Sequence, residues 1–306
     1  MVLNLEEDGI DVYKALASET RVKILSILAS KPATASDLAK ELSLTKAIVS
    51  RHLKELENAN LIHQSHNYKS EDDRKKVYTL KVDQIQINFP HRIYMPFKKK
   101  TSEIPLGLYS NFDIQPTCGL ASQSATIGQF DDPRSFVANQ RVDASLLWFS
   151  RGFVEYRIPN MLNENEKPEL LELSMELSSE FPESSNRWPS DITFSINGIE
   201  LATWTSPGNY SDVRGKYTPD WWDSSFSQYG DLIYLRCSHL NTNVDAVKMS
   251  DVTIDDLHLN DSPWITLRIA VKPDAKNPGG VTLFGKSFGN SPQDIIFNLY
   301  HSDTTE

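Results

Sequence analysis

An α+β chain of two domains, a small helical unit ending in a β-hairpin and then a larger all-β unit, is predicted by three observations. The 306 residues exceed the ~100–200 expected of one domain. Apolar residues recur at helical spacing in the first sixty residues, and strand-like runs dominate from Leu146 onward. The charge also changes sign. Residues 21–100 hold sixteen Lys+Arg against eight Asp+Glu, whereas 101–306 hold fourteen against twenty-eight. Opposite signs in two halves fit a nucleic-acid-facing part joined to a part with another partner. Ordinary solvated surface is the alternative until a motif decides.

Composition excludes some classes. No stretch approaches the ~20 consecutive apolar residues of a membrane span. The opening MVLNLEEDGIDVYK carries four acidic residues before Lys14, the reverse of a secretory leader, so a soluble, cytoplasmic protein without a membrane partner is expected. Cys118 and Cys237 have no companion at C-x-x-C spacing and are expected as free, buried thiols.

The elements of the first unit follow in order. In VYKALASETRVKILSILAS, apolar residues at 22, 25 and 28, with 24 and 27 beside them, make a helical stripe that Ser18 can cap and Lys31-Pro32 ends. Thr34 with Asp37 three positions on resembles a capping box for a second helix through Leu42. After a break at Ser43-Leu44, Thr45 can cap a third helix, KAIVSRHLKELENAN, with Val49, Leu53 and Leu56 on one side. Two short helices across so tight a break form a helix-turn-helix. Lys46, Ala47, Ser50, Arg51 and Lys54 fall opposite the apolar stripe. Small and cationic residues on such a face suit the major groove: Ala47 permits close approach, Ser50 bonds base or phosphate, and Arg51 can grip guanine. A plain amphipathic helix with a solvated basic face remains open on this evidence alone. LIHQSHNY and KKVYTLKV then read as strands around the loop KSEDDR, which completes a winged helix. Arg74, Lys75 and Lys76 can reach phosphates from that loop's end, although Glu71, Asp72 and Asp73 at its tip would be repelled.

ALASETRVKILSIL, SDLAKELSLTKAIVSRHLKELENANLI and the hairpin together resemble the winged-helix domain of the ArsR/SmtB family of bacterial repressors, over residues 10–82. The resemblance implies a repressor that binds double-stranded DNA at a pseudo-palindromic operator as a homodimer, with residues 45–58 as recognition helix. Metal-sensing members carry Cys-x-Cys where this chain has Ser36-Asp37-Leu38-Ala39. With no thiolate pair, no metal site or cofactor is expected. DQIQINFPHRIYMPF after Val82 also lacks the pattern of a closing helix, which leaves the family's usual dimer contact unsupported.

Residues 1–82 are therefore read as the DNA-binding domain, 83–102 as a linker and 103–306 as a β domain. The linker holds Pro90, Pro96 and Lys98-Lys99-Lys100, and either lies near the DNA backbone or is a solvated tether. Beyond it, LLWFSRGFVEYRIP, LLELSMELSSEF, DITFSINGIELATW, DLIYLRC, WITLRIAVK, GGVTLFGKSF and QDIIFNLY read as strands, with Asn197-Gly198 as a hairpin turn. So many strands without helices predict a β-sandwich of jelly-roll type. TFSINGIELATW is similar to a hairpin of galactose-binding-like jelly rolls, a resemblance confined to residues 165–300 that implies the fold and a sugar-like effector.

Residues 203–230 mix three Trp and three Tyr with Gly, Pro, Ser and Asp, and are read as a long loop. Trp204, Arg214, Tyr217, Asp220, Trp221 and Trp222 are its candidate ligand contacts, with Trp221 and Trp222 alternatively plugging the core. No catalytic residue is assigned. His239, Asp245, Asp255, Asp256 and His258 lack metal-site register, and GKSFGNS at 285–291 lacks the full phosphate-loop pattern. Glu155 and Glu169 could form the carboxylate pair of a carbohydrate-active enzyme, the first alternative to a regulator; a β domain that only oligomerises is the second.

Overall fold

The computed structural model describes residues 2–4, 9–65, 76–82, 85–88 and 97–303. The chain divides into two compact units, Met1–Tyr94 and Met95–Glu306.

In the first unit, β1 (Val2–Asn4) precedes helices α1 (Ile10–Leu16) and α2 (Glu19–Ser30). The side chain of Arg21 ties these helices together by donating to the carbonyls of Lys14 and Ala15, which satisfies acceptors that the end of α1 leaves open. β2 (Ala33–Thr34) leads into α3 (Ala35–Glu41), where Thr34 and Asp37 form the complete reciprocal capping box. α4 (Lys46–Asn58) follows a four-residue turn and buries Val49, Leu53 and Leu56 against Ile24, Leu28 and Leu38. β3 (Ile62–Ser65) and β4 (Val77–Leu80) pair antiparallel, and β2 joins β4 on its other edge. Helix-turn-helix and β-hairpin are both present as expected. The loop between the strands, with Arg74, Lys75 and the acidic tip, lies outside the described residues. After the hairpin, β5 (Gln86–Asn88) runs parallel to β1.

The second unit is a wholly antiparallel sheet of thirteen strands among the described residues: β6 (Lys98–Ile104), β7 (Asn111–Ala121), β8 (Thr126–Ile127), β9 (Leu146–Pro159), β10 (Glu166–Ser178), β11 (Ser190–Ile196), β12 (Ile199–Ser206), β13 (Asp231–Ser238), β14 (Thr242–Val244), β15 (Val247–Ser250), β16 (Trp264–Val271), β17 (Val281–Phe284) and β18 (Ile295–Asp303). The long strands β9 and β10 organise it. β9 has β7 along one edge; along the other it has β17 at its start and β16 thereafter. β10 has β13 along one edge, and β18 then β17 along the other. The sheet therefore forks: one arm continues β9–β16–β11–β12, the other β18–β10–β13–β14–β15, and β17 joins them.

Around that junction both faces are apolar. Leu147, Phe149, Leu283 and Leu177 point into the main core, while the alternate residues Leu146, Trp148 and Phe284 form a second cluster with Trp222 and Phe288 on the opposite face. Continuous burial along β17 and most of β10 reflects this double cover. The expected hairpin turn is present: Asn197 and Gly198 take φ of 50° and 82°, the positive pair a type I′ turn requires.

Two expectations change. Lys98-Lys99-Lys100 do not belong to a tether but lie on β6, an edge strand paired with β18. Trp204 lies on β12 rather than in a loop, because Thr203–Ser206 continue the β11–β12 ladder past the point where apolar alternation ends.

Glu176 locks the junction. Its carboxyl is 1% exposed and accepts the backbone N–H groups of Gly230 (2.9 Å), Asn290 (2.8 Å) and Ser291 (2.6 Å). Burial pushes this carboxyl above its ordinary range, and those bonds pull it partly back. Gly289 (φ 74°) lets the backbone come this close, since a Cβ there would stand 2.3 Å from the Glu176 oxygen. Glu176→Ala strands three partly buried donors, so equilibrium urea unfolding should show a loss of about 3 kcal/mol. Glu176→Gln keeps an acceptor oxygen and should lose clearly less.

Candidate nucleic-acid interface

α4 is built to hold one face out. Its buried stripe fixes the helix's rotation, so the opposite side, with Lys46, Ala47, Ser50, Arg51 and Lys54, is exposed together with Thr45 and Ile48. Thr45 caps the helix by accepting the Ile48 N–H (3.4 Å) through its hydroxyl. The uncompensated N–H groups of this first turn add a positive end to the same surface.

The side chains of Lys46, Arg51, Lys54 and Lys76 form no ion pair or hydrogen bond among the described residues, whereas Lys23 and Lys31 are taken up by Glu19 and Glu41. His52 sits between the two faces of α4 with Nδ1 buried and unpartnered among the described residues. Burial first, then the charges of Arg21 and Arg51, hold its imidazole below the usual range, so it stays neutral beside them. Toward its C-terminus α4 turns acidic with Glu55 and Glu57, the latter held by Gln64. Only the N-terminal half is suited to an anionic partner, the half that a helix-turn-helix presents to base edges.

The aromatic candidates of the second unit separate. Trp204 packs against the main core, while Trp222 is buried in the junction cluster and donates its indole N–H to the Ser227 carbonyl (3.0 Å). Trp221 is 40% exposed and its indole N–H is spent on the Gln123 carbonyl (2.7 Å). Arg214 donates to the carbonyls of Pro219 and Trp222, bracing the loop. Tyr217 lies beneath the Lys216 ammonium, and Asp220 is exposed.

Other groupings resolve into structural partners. Within Gly285–Ser291 the N–H groups of Asn290 and Ser291 donate to Glu176, Gly289 to the Thr218 hydroxyl and Lys286 to Asp294, so these donors serve the protein's own side chains. Gly285-Lys286-Ser287-Phe288-Gly289 within it also spells G-x-S-x-G, which sequence reasoning missed, but no helix follows β17 as a nucleophile elbow requires. Glu155 is gripped by Arg268, and Glu169 accepts from His239 and Ser302, so neither carboxylate is poised as half of a hydrolytic pair. His239 also reaches Asp255, which explains part of the scattered His/Asp set as a hydrogen-bonded chain from Glu169 through His239 to Asp255. Glu166, His301 and Asp303 lie close enough to share an ion, but Lys100 and Lys98 already neutralise the two carboxylates.

Against this geometry, the comparisons with known proteins are specific. Residues 18–64 match the family model of the bacterial regulatory protein, arsR family. The first unit carries an ArsR-family helix-turn-helix domain. An HTH-type transcriptional regulator of Methanocaldococcus jannaschii is 44% identical over 55 residues, which are 18% of this chain and 58% of that protein. The chain thus spans little over half the length of this curated relative. HlyU from Vibrio cholerae is 25% identical over 25% of this chain and 77% of its own, with a TM-score of 0.22. The Agl-KA catalytic domain overlaps 69% of this chain and 28% of its own at 9% identity and a TM-score of 0.27, too low to assign fold or activity to the β unit. Among the described residues no helix is long and apolar enough to cross a membrane.

If the Thr45 hydroxyl holds the first turn of the ArsR-type recognition helix, Thr45→Ala should cost about 1 kcal/mol locally. Amide hydrogen exchange should then quicken at Lys46–Val49 and stay unchanged in α2.

Proposed function

We propose that the chain is a DNA-binding transcriptional regulator, acting as a repressor at a pseudo-palindromic operator to which it binds as a homodimer. The observation that carries this reading is the cationic face of α4, unpaired among the described residues and opposite the buried stripe. Thr45, Lys46, Ala47, Ser50, Arg51 and Lys54 meet the major groove, Arg51 as the base reader and the lysines as phosphate contacts. Arg74, Lys75 and Lys76 of the wing reach the neighbouring backbone. In a dimer of such domains the half-sites lie about one helical turn apart.

The β unit, with its excess of acid, is the sensory part. We read its forked sheet as a two-layer sandwich of jelly-roll kind, because both arms share one apolar core, are laddered together through β17, and touch again where Ser250 of β15 donates to the Leu201 carbonyl of β12. Its effector is a small molecule; a carbohydrate is the class that the aromatic composition of 203–230, including Trp204, Tyr217, Asp220 and Trp221, first brings forward. Whatever the effector, it changes DNA affinity only by binding one arrangement of the dimer better than another. The family's usual closing helix has no counterpart in β5, so the dimer contact we expect draws on other surfaces.

Footprinting on the chain's own promoter region tests the reading. Protection of two symmetric half-sites is expected. Arg51→Ala should weaken binding about ten- to a hundredfold and relax discrimination at one base pair. No protection, with Arg51→Ala indistinguishable from wild type, would refute it.

A further inference from the structure

Beside the second apolar cluster the β unit opens a cavity of about 190 Å³. This is smaller than the ~300–1,000 Å³ of sites for drug-sized ligands, so its occupant is compact. Phe130, Trp148, Trp222 and Phe226 line it, and they pack as one group: Phe130–Trp148 5.5 Å, Phe130–Phe226 5.9 Å, Trp148–Trp222 5.7 Å and Trp222–Phe226 5.3 Å between ring centroids. The indole N–H of Trp222 is already used within the protein, so that residue offers the cavity no donor. Phe130 is 49% exposed at this group although it is a large aromatic, which leaves apolar surface uncovered there.

The polar side of the lining is of one sign. Asp131, Glu180 and Glu183 contribute to the wall, and no Lys, Arg or His does. None of the three acids forms an ion pair among the described residues. The Asp131 carboxylate accepts the Cys118 N–H (2.9 Å), and Glu180 accepts the hydroxyls of Thr282 (2.8 Å) and Thr117 (3.3 Å). Burial pushes the Glu180 carboxyl up to about 8, the charge of Asp131 pushes the same way, and the threonine hydroxyls pull it down.

Three ligand classes meet this wall differently. An anion finds no cationic side chain in the wall. A neutral ligand fills the space but offers the Glu180 carboxyl no counter-charge. A cation satisfies both features at once, since aromatic faces attract positive charge and a counter-charge relieves the carboxylate. We propose that this cavity binds a compact organic cation of the alkylammonium or quaternary ammonium class, held against Phe130, Trp148, Trp222 and Phe226, with Glu180 as its counter-ion. Its regulatory consequence rests on the sensory reading of the β unit; the binding itself does not.

The test uses the full chain and choline chloride as probe, with its uncharged isostere 3,3-dimethyl-1-butanol and D-galactose as comparison ligands, read by titration calorimetry and tryptophan fluorescence. Saturable choline binding that perturbs the fluorescence is expected, with the isostere and the sugar at least about tenfold weaker. Because Glu180 must lose its proton to act as counter-ion, affinity should rise with pH up to about 8 and level off above it. Glu180→Gln, which retains the size of the side chain, should weaken binding about tenfold and flatten that pH profile. Phe130→Leu, at a half-exposed position that leaves the fold intact, should weaken it as well. Isostere binding as tight as choline, or Glu180→Gln and Phe130→Leu both without effect, overturns the assignment, as does absence of choline binding. Choline binding that leaves operator affinity unchanged overturns the sensory reading while the cavity assignment stands.

Discussion

Val49, Leu53 and Leu56 of α4 insert into the core formed by α2 and α3, and this contact determines what the first unit can do. Full burial of each side chain contributes roughly 1.5–3 kcal/mol, enough together to fix the rotation of a thirteen-residue helix. Once the stripe faces inward, helical periodicity leaves Lys46, Ser50, Arg51 and Lys54 no choice but the outer side. The Thr34–Asp37 box sets where α3 begins, and the Thr45 cap sets where the turn after α3 gives way to α4. The exposed basic face of α4 thus follows from three apolar residues and two caps.

The β unit depends on a different constraint. Two arms of sheet share β17, and the outer face of that junction is apolar and must be covered. The segment containing Trp222 covers it, and Glu176 pins Gly230 and the turn at Asn290-Ser291 to β10 beside it. Glu180 lies two residues past the end of the same strand. Burial there raises a carboxyl that the threonines only partly stabilise. A region engineered for cover has therefore left one small acidic, aromatic space, and that is where the inferred cation site lies.

Most of the helical unit was legible because its signals are local: a stripe at 3.6-residue spacing, Thr-x-x-Asp, and a short break between helices. The alternating strands from Leu146 onward were legible for the same reason. β6 was not, because KKKTSEI is a lysine-rich edge strand whose outer face needs no apolar residues. β7 was hidden by Pro116 and Gly119 within NFDIQPTCGLA. The cavity could not be read at all: Phe130, Trp148, Glu180 and Trp222 come from four separate segments that only the tertiary fold brings together. Trp204 and Trp222, neighbours in composition, were parted by the continuation of β12.

The central claim is that the basic face of α4, rather than the acidic bulk of the chain, governs association with DNA. Equilibrium binding to the promoter fragment across a salt series tests it most directly. The account predicts that log Kobs falls linearly with log[salt], by about 0.9 per phosphate contact, and that Lys46→Ala and Lys54→Ala each make the slope shallower by about one. Binding indifferent to salt, or a slope unchanged in both variants, would contradict it.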